Sequence, residues 1–464
     1  MKKIAIVGGG PSGVFSAIKI LEFADKIGKK PEITIFDNKN ILHTILPTGN
    51  GRCNLCYMEF DNIELAKNFP RGEKFLYSVF SRYGTSDTIA DFENLGVETY
   101  TQDDLRIFPK ENSSAFVKQK MLEAIYNKVK FERKEIKEKL NGFDAVIIAT
   151  GLKTYPKLAE IYGHKIEEIK PALCGLKIKE KEFLTLKGVS FNSLIFTDVG
   201  VSGPYIFKLS SINAYKKYPY EIKIPLISPE SLKEKLIENP KKQFKTVVSA
   251  FIPNSLANIL IKTDKKCANV SKKEIEELEF LTLTVTSTDN KGEIVHSGGV
   301  SLNEIDKNFK SKIANNLWII GEVLNIDGFT GGFNLQNCWS DAAICAQDVI
   351  KILYSWYFAP WYVFLSDKNL SILFWVSNLF LTHKGATSSE TSPVPAVLWM
   401  LVFGGRISRK SHKMLQYSSS DKSLKGFSMY ILYKGAFFKT VKTWNLTPSI
   451  FNLASSRAVS IISS

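Results

Sequence analysis

The chain has 464 residues, is 44% hydrophobic and 23% charged, and carries a net charge of +15; this exceeds one ordinary compact domain and excludes a disordered or fibrous chain, so two or three globular domains are expected. The charge is uneven, with 12 Lys+Arg against 3 Asp+Glu after residue 352 and 49 against 43 before it, an excess that suits an anionic partner such as RNA but is also ordinary for an enzyme. Six scattered cysteines exclude a disulfide scaffold, Cys53-x-x-Cys56 lacks the further ligands of a metal site, and no signal-peptide pattern opens the chain, so a reducing, cytoplasmic setting without a structural metal is expected.

Residues 3–7, Lys-Ile-Ala-Ile-Val, read as a strand buried on both faces of a parallel sheet. Gly8 to Gly13 then make a Gly-x-Gly-x-x-Gly turn into a helix over Ser12 to Ala24. In such a turn Gly8 permits the bend, Gly10 lets the backbone approach a pyrophosphate, and Gly13 lets helix and strand pack closely. Pro11 fits the first helical turn, where an N–H is dispensable, and Ser12 follows it. Glu32 to Asp37 reads as the next parallel strand, with Asp37 where an acid accepts hydrogen bonds from a ribose diol, which favours FAD or NAD over NADP.

Further along, Asn50-Gly51-Arg52-Cys53-Asn54 falls in a loop near the expected crevice. Arg52 either binds an anionic cofactor edge or substrate phosphate through its planar fork, or is a structural loop residue. Cys53 either donates a proton to a substrate carbon or is a small packed residue, and with Cys56 it is also a candidate dithiol. Ala145 to Ala149 reads as a strand delivering Thr150 and Gly151 to the same crevice. From about Pro171 to Thr288 the pattern turns β-rich, for example Ser193–Thr197 and Tyr220–Leu226, with helical stretches at Ser231–Ile237 and Lys272–Leu278. This reads as an insertion into a discontinuous nucleotide-binding domain, because Leu317 to Ile320 returns to buried-strand character. That strand ends in Gly321-Glu322, and Thr330-Gly331-Gly332 precedes an amphipathic helix. FAD needs a second clamp of this kind, and exposed N–H groups at Gly332 to Leu335 would stabilise negative charge on the pyrimidine edge of a reduced flavin, which favours FAD over NAD.

The segment after Leu353 holds five of the seven Trp, runs of Ser and few acids. Its apolar stretches are too broken to span a bilayer, so it reads as an appended tail, either disordered or lying on a membrane surface. The boundaries expected are 1–170 and 291–352 for the two parts of the FAD-binding domain, 171–290 for the insert and 353–464 for the tail.

IAIVGGGPSG, TGNGRCN (48–54), IIATG (147–151), FTDVGVSGP (196–204), HSGGVSLNEID (296–306) and GEVLNIDGFTGGFNLQ (321–336) resemble the bacterial flavoproteins called HI0933-like or YhiN-like. The likeness runs from about residue 2 to 352, and the last two motifs are the most specific. It implies an α/β fold with a discontinuous Rossmann-like FAD-binding domain and an inserted β-barrel-like domain carrying a small helical subdomain. It also implies non-covalent FAD and extends the cofactor-binding set to Asn50, Gly51, Arg52, Asn54, Asn334, Leu335 and Gln336. The sequence departs from the family in a shortened loop over Lys157–Gly163, in Asn38–Leu46 in place of a basic, glycine-containing run, and in Asp198 and Val199 where the family often has His and a small or apolar residue. His296 reads as a loop histidine. The resemblance implies an FAD-dependent oxidoreductase that transfers hydride to an electron-poor double bond. The foremost expectation is uridine to dihydrouridine in large-subunit ribosomal RNA; a small-molecule flavin reductase or oxidase acting on unsaturated steroid-like acids or amines is the alternative, and a non-catalytic FAD-binding protein is a third. With no second Gly-x-Gly-x-x-Gly after a strand, NADH or NADPH is expected to bind only transiently as electron donor.

Overall fold

The computed structural model describes residues 1–152, 156–289 and 295–354, together with the backbone of five strands between residues 361 and 439. The chain divides into two compact units, Met1–Leu353 and Tyr354–Ser464. In the first, a parallel sheet is built from β1 (Lys3–Val7), β2 (Glu32–Asp37), β3 (Lys130–Arg133), β4 (Ala145–Ile148) and β5 (Leu317–Ile319), in the spatial order β5-β4-β1-β2-β3. Ile4, Ala5 and Ile6 of β1 and all of β4 are buried, as a strand covered on both faces requires. Although β5 lies far downstream in sequence, it pairs in parallel with β4, Leu317 against Val146 and Ile319 against Ile148. Parallel strands share one carboxyl-terminal edge, so Gly8, Thr150 and Gly321 emerge on the same side.

Two helices close one face: α1 (Pro11–Lys26) and α2 (Phe333–Leu353). They meet through Phe15 and Trp339, whose rings are 5.2 Å apart in an edge arrangement, and Phe92 completes the cluster, stacked on Phe15 and edge-on to Trp339 at 5.0 Å. Trp339 also donates its indole N–H to Leu55 O at 2.9 Å, and Trp318 of β5 donates to Asp348 at 2.9 Å. The last helix is thereby tied both to its own preceding strand and to the loop that carries Arg52 and Cys53.

Between β4 and β5 lies a six-stranded antiparallel sheet in the order Ser190–Phe191, Leu194–Phe196, Gly200–Ser202, Gly175–Ile178, Phe280–Asp289, Tyr220–Pro225. Along Tyr220–Pro225 buried Tyr220, Ile222 and Ile224 alternate with exposed Glu221 and Lys223, the period of a sheet wet on one face. Leu176, Phe196, Leu283 and the helical residues Leu232, Phe244 and Leu256 form a hydrophobic core of their own. Helices Pro229–Glu238, Phe244–Val248, Asn254–Leu260 and Lys272–Glu276 lie between the strands Tyr220–Pro225 and Phe280–Asp289. The two connections to the parallel-sheet part, Ile166–Ala172 and Val295–Val300, pair with each other antiparallel. Among the described residues no ladder joins the two end strands, so the sheet is open and the barrel closure implied by the resemblance is absent from the described pairing.

The second unit's described backbone is five antiparallel-paired strands, Trp361–Asp367, Leu370–Ser377, Val397–Gly404, Ser428–Tyr433 and Ala436–Lys439. The rest of the tail, where disorder or membrane contact was expected, lies outside the described residues. Among those described, no helix is long and apolar enough to cross a membrane.

One buried histidine sits near the connecting strands. His164 Nε2 is 2.8 Å from Ser311 Oγ, and that oxygen already accepts the N–H groups of Ile313 and Ala314. The serine proton therefore points at Nε2, which leaves Nδ1–H to donate to Glu304 at 3.1 Å and the ring neutral. Burial holds its pKa below the ordinary value, against the pull of Glu304. The folded chain thus binds fewer protons than the unfolded one. This stability contribution is complete above a pH of about 6.5 and is lost as the pH falls through the folded-state pKa. Thermal unfolding followed by circular dichroism should show the midpoint dropping across that range, with a shallower drop in His164→Asn.

Candidate functional site

The glycine turn is fixed by close backbone contacts. Gly8 has φ +111°, and a Cβ there would lie 2.2 Å from Ala149 O; a Cβ on Gly13 would lie 1.9 Å from Gly8 O. Both positions exclude any side chain without movement of the main chain. Gly10 differs: its φ is −78°, and the nearest atom to a Cβ there is Thr44 Oγ1 at 3.7 Å. The protein does not need the missing side chain at Gly10, but a group approaching the turn would. Helix α1 starts at Pro11 with no side-chain cap and no acid in its first turn, so its N-terminal amides remain open to an anion.

Thr44 is a functional candidate that the sequence reading missed. Its Oγ1 is buried without a protein hydrogen-bond partner, and it faces the open side of Gly10. The Asn38–Leu46 loop therefore does reach the turn: Leu42 N donates to Gly9 O at 2.8 Å, and the Ile41 side chain packs on Gly9. Asp37 at the end of β2 accepts Gly9 N–H at 2.6 Å through Oδ2 and Lys39 N–H at 2.7 Å through Oδ1. Each oxygen keeps a lone pair for a ribose hydroxyl.

A second group gathers where β4 and β5 end. Gly321 abuts Ser12, since a Cβ on it would lie 2.8 Å from Ser12 Oγ. Glu322 Oε2 lies 3.8 Å from where Gly151 would carry a Cβ, and Glu322 Oε1 accepts His296 N–H at 3.3 Å. Thr150 is half-buried, with its N 2.9 Å from the position of a Cβ on Gly8. Beneath them Asp341 of α2 accepts Gly321 N–H at 2.6 Å, and complete burial pushes its carboxyl well above the usual range. Nothing in the local sequence around Asp341 marks it, because its partner is a backbone amide on another element.

The third group is the start of α2 against the Arg52–Cys56 loop. Gly331 and Gly332 have φ +137° and +100°, and a Cβ on Gly332 would fall 2.7 Å from the Cys56 carbonyl and 2.8 Å from Asn54 Oδ1. Asn54 Oδ1 and Gln336 Oε1 are buried polar atoms without partners. Gln336 points into the core, donating to Ser340, while half-buried Leu335 lies in the first helical turn. Asn334 is committed elsewhere: its side chain exchanges two 2.8 Å hydrogen bonds with the Gly328 backbone, so it shapes the loop and offers only its own N–H to a ligand.

Arg52 stacks over Phe108 at 4.3 Å and donates Nε–H to Gly49 O at 3.2 Å. These contacts fix the side chain's stem and suit the structural alternative. Asn50 and Gly51 lie on the exposed rim of that loop in left-handed conformations, anchored by Ser114 N donating to Gly51 O at 2.8 Å. Cys53 has φ +62° and is fully buried, and burial pushes its thiol up to about 12. Cys56 is also buried and shifted upward, and both cysteines are free thiols. The Cys53 thiol is thus closed off from solvent and held protonated, packed as a small residue is. Cys53→Ala should accordingly keep reoxidation of the chemically reduced protein by a substrate with an electron-poor double bond, which takes the hydride, within a few-fold of wild type in anaerobic stopped-flow absorbance; a drop of 10²-fold or more, the scale of a lost general acid, would restore its catalytic role.

The residues fit FAD: an open helix N-terminus with an orphaned hydroxyl at one end, and a glycine-lined helix start with orphaned amide oxygens at the other. The shortened loop after Gly151 includes residues 153–155, which lie outside the described residues. Among those described, no group of His, Cys, Asp or Glu is placed to hold a metal ion.

A buried ion pair braces this site. Arg71 forms a two-pronged salt bridge to Asp327 and donates to Ser211 O at 2.8 Å and Ser211 Oγ at 2.7 Å, while Ser211 Oγ donates to Asp327 at 3.1 Å. Lys208, on the same helix Pro204–Ile212, sits over the Phe329 ring at 4.8 Å. The helix after FTDVGVSGP is thus pinned to the loop preceding α2.

The family model described as HI0933-like protein Rossmann domain matches residues 2–348. Two curated relatives align along nearly their whole length. A ribosomal RNA dihydrouridine synthase of Haemophilus influenzae is 27% identical over 75% of this chain and 98% of its own. A 3-dehydro-bile acid delta(4,6)-reductase of Clostridium scindens is 26% identical over 75% of this chain and 98% of its own. Among solved structures, a 3-ketosteroid delta1-dehydrogenase of Sterolibacterium denitrificans aligns over 75% of this chain and 99% of its own at 10% identity, with a TM-score of 0.37.

Proposed function

The chain belongs to the HI0933-like protein family of FAD-dependent oxidoreductases, and from that premise we propose that it reduces uridine to dihydrouridine in large-subunit ribosomal RNA. The relatives' names carry the chemistry: one makes dihydrouridine, and the other reduces double bonds of a 3-dehydro bile acid. Uridine fits the same description, since its 5,6 double bond is conjugated to a carbonyl and accepts hydride at the far carbon and a proton at the near one. A flavin bound here supplies that hydride, with NADH or NADPH as the transient source of both electrons.

The protein's own part is to hold and to orient. Gly8, Gly10, Pro11, Ser12, Gly13 and Thr44 would cradle the pyrophosphate, and Asp37 would take the ribose hydroxyls. Thr150, Gly151, Gly321 and Glu322 would line the ribityl path, with Asp341 fixing the Gly321 backbone from below. The first-turn amides of α2, Gly332 to Leu335, would meet negative charge on the pyrimidine edge. Asn50, Gly51, Arg52, Asn54, Gly331, Asn334 and Gln336 would complete or support the pocket. Residues 171–290 would form the inserted domain that presents the RNA, and the site of action would be the cytoplasm.

The observation that supports this reading is the meeting of the Gly8–Gly13 turn and the Gly321-Glu322 turn at one sheet edge, with Gly321 abutting Ser12, in a chain that aligns with 98% of a dihydrouridine synthase. Nucleoside analysis of ribosomal RNA from a strain lacking this gene tests it: dihydrouridine should disappear and return on complementation. Unchanged dihydrouridine would overturn the RNA substrate, and unsaturated 3-oxo steroid acids would then be the substrates to assay.

A further inference from the structure

We propose that the small helical part of residues 171–290 carries a docking surface for double-helical RNA, built on Lys241, Lys242, Lys245, Lys262 and Lys266. It rests on the RNA reading above and names which face of the protein meets the substrate. Residues 171–290 hold 18 Lys and no Arg against 13 Asp+Glu, so they supply most of the positive excess outside the tail. Within that stretch the imbalance concentrates in residues 240–270, with six lysines and a single acid, Asp264.

The fold brings those lysines together. Segments 240–245 and 262–268 run side by side: Gln243 and Lys266 form an antiparallel bridge, Phe244 N donates to Lys265 O at 2.9 Å, Cys267 N to Lys242 O at 2.9 Å and Ala268 N to Pro240 O at 3.1 Å. Phe244, Ile261 and Cys267 point inward and are buried, which fixes the backbone of both segments. Lys241, Lys242, Lys262 and Lys266 are exposed and Lys245 is half-exposed. Lys265 is neutralised by Glu274 at 2.7 Å, whereas the other five make no salt bridge among the described residues. Five like charges held together on an anchored platform repel one another, and a polyanion relieves that repulsion.

The surroundings select the kind of polyanion. A surface that grips unpaired bases needs exposed aromatic rings on which they can stack. Here Phe244 is buried and Phe251 only half-exposed, so the patch offers point charges without a stacking platform. An anionic membrane surface would be held better by apolar side chains set among the cations, whereas the large apolar side chains of residues 240–270 are buried or half-buried and exposed Ile237 lies outside that stretch. Duplex RNA is read mainly through its shape and its regularly spaced phosphates, which a rigid lysine platform matches.

The test uses the FAD-loaded full chain and a fluorescent RNA hairpin with a stem of about 16 base pairs. Affinity should fall on the order of 10²-fold between 50 and 200 mM salt, as displacement of counterions from about five phosphates requires. K241Q/K242Q/K262Q/K266Q should flatten that salt dependence and weaken binding at low salt by on the order of 10²-fold, while flavin content stays unchanged. A control with the same charge loss elsewhere, K30Q/K118Q/K128Q/K134Q, should bind like wild type. If wild type binds the hairpin and the patch variant binds equally well, the patch is overturned while the RNA substrate stands. If wild type ignores the hairpin, or prefers an unpaired oligonucleotide or phosphatidylserine vesicles, the duplex surface is overturned on its own. The deletion-strain nucleoside analysis reports separately on the substrate.

Discussion

Arg71→Ala is expected to destabilise the first unit by about 3–5 kcal/mol, because it strands the Asp327 carboxylate in a site with no access to water. The loss should appear as a lower midpoint in urea unfolding followed by circular dichroism, and as faster release of flavin. The pH dependence carries a definite sign. Burial already raises the Asp327 pKa even with Arg71 beside it, and removing the guanidinium raises it further. A carboxyl raised in the folded state favours folding at low pH and loses that advantage as the pH climbs through its folded value. The gap between Arg71→Ala and wild type should therefore narrow as the pH is lowered from about 7 towards 5. Pairing Arg71→Met with Asp327→Leu should recover most of the stability, since an apolar pair of similar volume replaces a desolvated ion pair at little net cost. It should not recover flavin retention if the salt bridge also orients the loop before Gly331. A single variant at Arg71 that unfolds no more readily than wild type would show that the pair contributes nothing to holding that loop.

This brace and its neighbours mark what the sequence could and could not display. Four of the five parallel strands were legible, the plainest being those whose burial on both faces leaves an unbroken apolar run, as in Ile4–Val7 and Ala145–Ile148; β3, Lys130–Arg133, is charged and mostly exposed and gave no such signal. The glycine turn was legible because strand, turn and helix lie within a single stretch of chain, and the two helical stretches at Pro229–Glu238 and Lys272–Glu276 showed their apolar period. Arg71, Ser211 and Asp327 give no such signal. They come from three distant segments, and each alone resembles an ordinary surface residue. Asp341 and Thr44 were hidden for the same reason, since a side chain whose partner is a backbone amide or an open ligand face leaves no pattern in its neighbours. Asn334 is a related case: nothing in its neighbours signals that its side chain hydrogen-bonds the Gly328 backbone. The strand pairing described after residue 360 was also not anticipated, because those stretches are apolar throughout and lack the alternation that identifies a half-buried strand.

Gly10→Ala should separate a cofactor contact from a folding requirement. Gly10 has an ordinary extended conformation, and only the Thr44 hydroxyl, at 3.7 Å, comes within contact of the added methyl. Folding stability should therefore stay within about 1 kcal/mol of wild type, as for a substitution that meets open space. Affinity for FAD should nonetheless fall. The methyl would occupy the face on which the pyrophosphate approaches the helix amides, and overpacking of about 1–3 kcal/mol corresponds to a loss on the order of ten- to a hundredfold. Gly8→Ala provides the contrast: its Cβ would lie 2.2 Å from Ala149 O at a φ that disfavours alanine, so fold and flavin should be lost together. The two dissociation constants can be measured by quenching of flavin fluorescence, with thermal unfolding of the apoprotein alongside. A Gly10→Ala protein that binds FAD as tightly as wild type would mean that the pyrophosphate does not lie over this turn, and the assignment of the first cradle would fall even though the fold remained intact.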